Sequence, residues 1–286
     1  MPFEGHETWY RLVGERGELA PLVLLHGGPG SCHDYFEVLD PLAERLGRQL
    51  VMYDQLGCGH SYLDGCPGLW ETDLWVRELE SLRSWLGLSR CHLLGQSWGG
   101  MLAIQYLVER RPEGVVSAIL SSSLSSCALW GEEQHARLGV LSAAEQEAVA
   151  RAEACGNYGD PAFRAAEAHF MELFCSGPRG GDAPECLTRE VRRGRECYLA
   201  TQGDNELSPT GSFRDWDYTA RLGEIGVPTL VVPGESDLCS PRVARTLADG
   251  IPNARWELMR GCRHMCFVDD TPGYMALLEG WLGGRE

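Results

Sequence analysis

A serine, an acid and a histidine in the order Ser97, Asp237, His264 provide the parts for acyl transfer through a covalent intermediate. A serine hydroxyl attacks a carbonyl only when a base takes its proton, and the base works only when an acid orients it. Ser97 is the centre of Gly95-Gln96-Ser97-Trp98-Gly99, which fits G-x-S-x-G, with the strand-like "CHLL" before it and the helical "GMLAIQYLVERR" after it. On so sharp a strand-to-helix turn the serine backbone is strained; small neighbours at 95 and 99 relieve crowding, and the hydroxyl stands above the sheet edge. The Trp98 amide, at the start of the following helix, is a free donor in a positive field and suits an oxyanion. Taken alone, the pentapeptide fits a small residue in a Gly-rich loop equally well.

The partners a nucleophile requires lie beyond it. "PTLVVPGESDLCSP" ends a strand-like run and offers Asp237, with Glu235 as the rival acid. Asp237 is preferred because it sits further past the strand, where its side chain can turn across the carboxyl edge of the sheet. Of eight histidines only His135, His169 and His264 follow the serine, and the first two fall in a helical stretch. His264 follows the last strand-like run, "ARWELM", and is the base candidate. "LLHGGPG" follows the first buried run; its glycines allow close backbone approach and Pro29 stiffens it, so Gly28 is expected to supply a second oxyanion donor, with the Gly27 amide next to it. An ordinary β-turn is the competing reading of those letters.

These residues need a scaffold. The runs 21–25, 49–54, 91–94, 115–120, 228–232 and 254–259 read as buried parallel strands. Helical patterns alternate with them: in "ETDLWVRELESLRSWLG", Trp75, Leu79, Leu82 and Leu86 recur at helical spacing and form one apolar face. Such alternation predicts an open α/β sheet with right-handed crossovers. Between about Leu124 and Tyr218 the rhythm breaks, and segments such as "LSAAEQEAVARAEA" read as a helical insertion within one sheet.

Composition removes several classes of function. The 286 residues, 44% apolar, can bury a full core. A net charge of −16 without a long basic run argues against nucleic acid as a partner. All 25 basic residues are arginine, which removes Schiff-base chemistry, a Ser-Lys dyad and a P-loop lysine. No stretch approaches the roughly 18 apolar residues of a membrane span, and "MPFEGHETWYRL" lacks the regions of a secretory signal, so a cytoplasmic protein with no membrane partner is expected. Its twelve scattered cysteines then read mostly as reduced, buried thiols. "CRHMC" at 262–266 lacks a second ligand pair, so no metal site is expected. The acyl-transfer chemistry calls for no cofactor.

Taken together, "HGGPG" at 26–30, "YDQLGCGHS" at 53–61, "GQSWGG" at 95–100, "GDNEL" at 203–207, "DWD" at 215–217, "GESD" at 234–237 and the "GCRH" ending at His264 resemble the proline iminopeptidases, α/β-hydrolase serine peptidases that remove an N-terminal residue. The likeness spans nearly the whole chain. It implies the α/β-hydrolase fold, a mostly parallel central sheet flanked by helices, with residues 1–124 and 219–286 as core and 125–218 as a helical cap. It also implies Ser97, Asp237 and His264 as triad, Gly28 and Trp98 as oxyanion hole, and Glu206 as a cap carboxylate that anchors the substrate's protonated α-amine. The family's second amine-binding glutamate, directly after the catalytic aspartate, is Leu238 here. Asp204 and Glu235 are the acids offered to compensate for its loss.

The expected substrate is a small peptide, amino-acid amide or ester, from which proline or another small or apolar residue is released through an acyl-enzyme. An esterase, thioesterase or lactonase, and an enzyme passing the acyl group to another nucleophile, share the same machinery; a binding protein on the same fold is a further alternative. Asp54 and Gln55 are read as organising the turn after the second strand, with Gly57 and Gly59 accommodating its backbone. Cys58 and Cys239 are placed near the site mouth as buried, unreactive thiols. Trp130, His169 and Phe170 could line a substrate pocket from the cap, but packing against the cap's own core is the preferred reading.

Overall fold

The structure is a computed structural model that describes residues 1–177 and 180–285. Its strands are β1 (Pro2–Phe3), β2 (His6–Glu7), β3 (Tyr10–Val13), β4 (Leu22–Leu25), β5 (Leu50–Tyr53), β6 (Cys91–Gln96), β7 (Val115–Ser121), β8 (Thr229–Val232) and β9 (Ala254–Trp256). β1 and β2 form a small antiparallel pair, and the other seven form one sheet in the order β3-β5-β4-β6-β7-β8-β9. Only β3 runs antiparallel, against β5. Every other neighbouring pair is parallel.

Alternation along the central strands splits the core into two layers. Val23, Leu25, Val51, Tyr53, Leu93, Leu120 and Val231 face one cluster, which includes α2 (Thr72–Trp85), α3 (Trp98–Arg110) and α8 (Pro241–Gly250). Leu22, Leu24, Leu50, Met52, Leu94, Ile119 and Leu230 face the other, built with α1 (Pro41–Leu46), α9 (Cys266–Asp269) and α10 (Thr271–Leu282). Both faces of the sheet are therefore dry, which is why its strands read as unbroken apolar runs.

The structure differs from the sequence expectation at the edges of the sheet. β1 to β3 had no apolar signature, because β3 is an edge strand whose residues are only partly covered. The run 254–259 is strand only through Trp256, after which Met259 keeps a single parallel bridge to Gly234. Between β7 and β8 lie α4 (Cys127–Arg137), α5 (Ala143–Cys155), α6 (Pro161–Phe174) and α7 (Arg195–Thr201), with no strand of the sheet among the described residues. The segment leaves and rejoins the sheet through paired backbone: Ser126 bridges Asp217, and Tyr218 N donates to Ser125 O at 2.8 Å.

Candidate active site

Ser97 links β6 to α3 with φ +56° and ψ −121°, outside the regions that L-residues favour and a strain of about 1–3 kcal/mol. The surroundings hold it there: Ser97 N donates to Ser121 O at 2.9 Å, and Ser123 Oγ donates to Ser97 O at 2.9 Å. Glycine is required on both sides, since a Cβ at Gly95 would run into the Gly99 carbonyl and one at Gly99 into the Leu25 carbonyl. Trp98 opens α3, so its amide is among those that no earlier helical carbonyl can accept.

Asp237 is fully buried in the loop after β8. Its Oδ2 accepts from Gly234 N at 2.9 Å, and its Oδ1 accepts from Cys239 N at 2.8 Å. The same Oδ1 lies 2.7 Å from Nδ1 of His264. Nδ1 is thereby the protonated ring nitrogen, and Nε2 is left for a proton from elsewhere. Glu235, the rival acid, points away: its Oε2 accepts from Gly261 N at 3.0 Å. Ser97, His264 and Gly28 line one cavity at the carboxyl edge of the sheet, and Ser97 Oγ makes no hydrogen bond among the described residues, so the hydroxyl is free to turn.

The loop after β4 carries Gly28 with φ +113°, a conformation that glycine adopts without strain. Gly27 does not serve the cavity as expected. Its amide is taken by Tyr35 Oη at 2.5 Å, and a Cβ there would meet Gln96 Oε1 at 2.5 Å and Ser97 Cβ at 3.1 Å. The residue is small to let the loop after β4 approach the Ser97 turn. Gln55, read from sequence as a turn former, joins the two loops. Its amide donates to His26 Nε2 at 3.0 Å, its Nε2 donates to His26 O at 2.9 Å, and its Oε1 accepts from Trp98 Nε1 at 2.8 Å. Burial lowers the His26 imidazole to about 4, which keeps Nε2 a neutral acceptor. Asp54 organises the next turn by accepting from His33 and His60.

Glu206, in the segment between α7 and β8, stands on the cavity wall. Its own amide donates to Glu167 Oε1 at 2.7 Å, and Glu167 is in turn paired with Arg164 at 2.8 Å. Burial, reinforced by the charge on Glu167, pushes the Glu206 carboxyl above the ordinary glutamate range, against a partial pull downward from the adjacent Tyr198 hydroxyl. Asp204 is turned away to Arg164 at 3.0 Å, so neither it nor Glu235 stands in for a second cavity carboxylate. Leu238 occupies that part of the wall, buried, with its carbonyl accepting from Gln134 Nε2 at 2.8 Å.

The remaining wall is apolar. Trp130 lines the cavity, the alternative to the preferred reading that it packs against the helical segment's own core. Phe170 does pack there, 4.7 Å from Phe174, and His169 is at the surface against Glu145. Phe213, stacked 4.8 Å from Trp98, and Cys127 also face the cavity. No motif marked these two, because each reaches the wall through the fold of the cap; a single aromatic or cysteine in a helical segment carries no signal of that kind. The twelve cysteines are free and most are buried. Cys239 lies close enough to Asp237 and His264 to complete a trio, with Asp237 Oδ1 accepting from both the Cys239 amide and His264 Nδ1, and burial pushes its thiol well above the ordinary range. Cys58 is likewise buried, its thiol donating to Gln55 O.

A strained hydroxyl, an imidazole oriented by a carboxylate, free amides and one carboxylate around an apolar cavity suit acyl transfer from a substrate bearing an amine. Comparison with known proteins gives an independent view. The family model described as the alpha/beta hydrolase fold matches residues 20–271. A proline iminopeptidase of Lactobacillus helveticus is 52% identical over 287 residues, covering 100% of this chain and 97% of that protein. The crystal structure of a proline iminopeptidase from Mycobacterium smegmatis superposes with a TM-score of 0.86 at 32% identity, covering 98% of this chain and 96% of that one. The crystal structure of VinJ superposes with a TM-score of 0.90 at 29% identity, covering 100% of this chain and 98% of that one.

Proposed function

The chain belongs to the proline iminopeptidase family of α/β hydrolases, and from that premise we propose that it releases N-terminal proline, or another small or apolar residue, from short peptides and amino-acid amides by acyl transfer to Ser97. The observation that carries this reading is the shared cavity, lined by the strained Ser97, the Asp237-held His264 and the single carboxylate of Glu206.

His264 Nε2 takes the Ser97 proton as Oγ attacks the first peptide carbonyl, and Asp237 stabilises the imidazolium that forms. The amides of Trp98 and Gly28 receive the oxyanion. His264 then protonates the departing amine, and water, activated by the same ring, releases the amino acid. Glu206 binds the substrate ammonium and so places the first peptide bond, rather than a later one, over Ser97. Leu238 and the aromatic wall receive an apolar side chain or ring. Residues 1–124 and 219–286 act as the core and 125–218 as the cap, a division supported by the paired backbone at Ser126 and Asp217. No described helix is long and apolar enough to cross a membrane. The free thiols fit a reducing compartment, in keeping with a cytoplasmic enzyme.

The test is turnover of prolyl arylamide beside its N-acetylated form and a simple acyl ester. Cleavage of the free-amine amide, loss of that cleavage on acetylation, and a fall of about 10⁴-fold or more in kcat for Ser97→Ala are expected. Preferred cleavage of the ester without an amine, or a Ser97→Ala variant of undiminished activity, would overturn the proposal.

A further inference from the structure

We propose that Arg137, in the cap, is a positioning residue that sets the geometry of the Asp237–His264 pair from outside the cavity. The inference rests on the triad reading above and extends it to a group that touches neither substrate nor reacting atoms.

Arg137 ends α4. Its Nη1 donates to the carbonyl of Asp237 itself at 2.6 Å, and its Nη2 donates to the next carbonyl, that of Leu238, at 2.7 Å. Gln134, one turn earlier, donates to the same Leu238 carbonyl at 2.8 Å and accepts from Arg137 Nη2 at 2.6 Å. The guanidinium lies over the ring of Phe174, 4.4 Å from its centre. The carbonyl of Phe174 accepts from His264 N at 3.0 Å. One continuous set of contacts therefore runs from the backbone of the acid, through Arg137 and the last turn of α6, to the backbone of the base.

The acid and the base sit on loops after the neighbouring strands β8 and β9, which are tied backbone to backbone by Glu235 N to Met259 O at 3.0 Å and Ser236 N to Cys262 O at 2.9 Å; Arg137 adds a second hold on the acid loop from the other side. The carboxylate is occupied by Gly234, Cys239 and His264, and Arg137 leaves it untouched, reaching only the main chain. A planar fork that spans two successive carbonyls while stacking on an aromatic ring is a task an ammonium does not reproduce. Trp130 and Arg137 lie seven residues apart and share a face of α4, so one helix borders the substrate cavity and grips the acid loop.

The experiment compares kcat, KM for prolyl arylamide and the low-field proton resonance of His264 Nδ1 in the full-length Arg137→Met, Arg137→Lys and Arg137→Ala proteins. A fall in kcat of about 10–100-fold in all three is expected, the size of a displacement of about an ångström. KM should stay within about twofold, since the binding contacts remain. The resonance should move or broaden, and added ethylguanidinium should restore part of the kcat of Arg137→Ala. Wild-type kcat with an unmoved resonance in Arg137→Met overturns the proposal. So does a loss expressed in KM alone. Should Arg137→Met fail to fold, Arg137→Lys, which keeps the charge and stem but not the fork across two carbonyls, decides the matter: lower kcat with a moved resonance supports the proposal and wild-type kcat overturns it. A fully active Ser97→Ala would instead defeat the triad reading, whereas an inactive Ser97→Ala beside an unimpaired Arg137→Met defeats this inference alone.

Discussion

Asp237 accepts three N–H donors with its two oxygens, and one of them is the ring whose orientation acyl transfer requires. In Asp237→Asn the amide presents its own N–H groups and favours the other tautomer of His264. We expect a folded protein with kcat lower by about 10⁴-fold, checked by steady-state turnover against the thermal unfolding curve. Glu206 is a different kind of carboxylate, held by the cap and raised above its ordinary range by burial and by Glu167. On the proposed reading its negative charge attracts the substrate ammonium, so amine binding is expected above the raised value and should weaken as pH falls through it. KM for prolyl arylamide is expected to rise on the acid side at a higher pH than an ordinary carboxylate would give. Glu206→Gln should raise KM by about 10–100-fold, corresponding to roughly 1.5–3 kcal/mol for a hydrogen bond to a charged group, and should flatten that pH dependence. An unchanged KM profile in Glu206→Gln would place the amine elsewhere.

The helices and loops are tied by buried polar groups as well as by apolar faces. Glu78 on α2 is the clearest case: Thr8 Oγ1 donates to its Oε1 at 2.5 Å, and Leu56 N donates to it at 3.0 Å, joining the N-terminal segment, the helix and the loop after β5. Burial raises this carboxyl to about 8 from an ordinary 4.5. Between those values the folded chain keeps a proton that the unfolded chain has released. The stability this group contributes is therefore fully present below the ordinary value and is lost as pH rises through about 8. The unfolding temperature should fall between pH 6 and pH 9, and Glu78→Gln, which keeps an acceptor for Thr8 and Leu56, should flatten the fall; equal slopes in the two proteins would refute this. Periodicity made α2 legible, since Trp75, Leu79 and Leu82 are buried at helical spacing. The contacts of Glu78 were not, because they join positions 22 and 70 residues away and a glutamate on a helix ordinarily faces water.

At the scale of the whole molecule, the 41 acidic residues against 25 arginines leave a net charge of −16. Surface ion pairs such as Arg245–Asp249, at 2.8 Å, are exposed and individually weak. Self-repulsion of the excess charge is the larger effect. Raising salt from low ionic strength to about 0.15 M shortens the screening length to about 8 Å and should raise the unfolding temperature at pH 7. A fall would mean that the ion pairs outweigh the repulsion. The cavity too is assembled at this scale: the segment between β7 and β8 supplies Trp130, Glu206 and Phe213, and the start of α3 and the loops after β4, β8 and β9 supply the rest.

The amino-acid sequence by itself determined the α/β-hydrolase fold and the family, and it singled out Ser97, Asp237 and His264. Those features are local: a buried strand excludes polar residues, a sharp turn excludes a Cβ at 95 and 99, and such limits are written in adjacent letters. The tertiary structure alone decided what meets across distance. It spent the Gly27 amide on Tyr35, turned Glu235 and Asp204 away from the cavity, set Phe213 on Trp98 and brought Arg137 to the backbone of the acid. None of these pairings has a periodic or motif signature, because each depends on how separate loops and helices pack against one another, a result of many weak contacts summed over the whole chain.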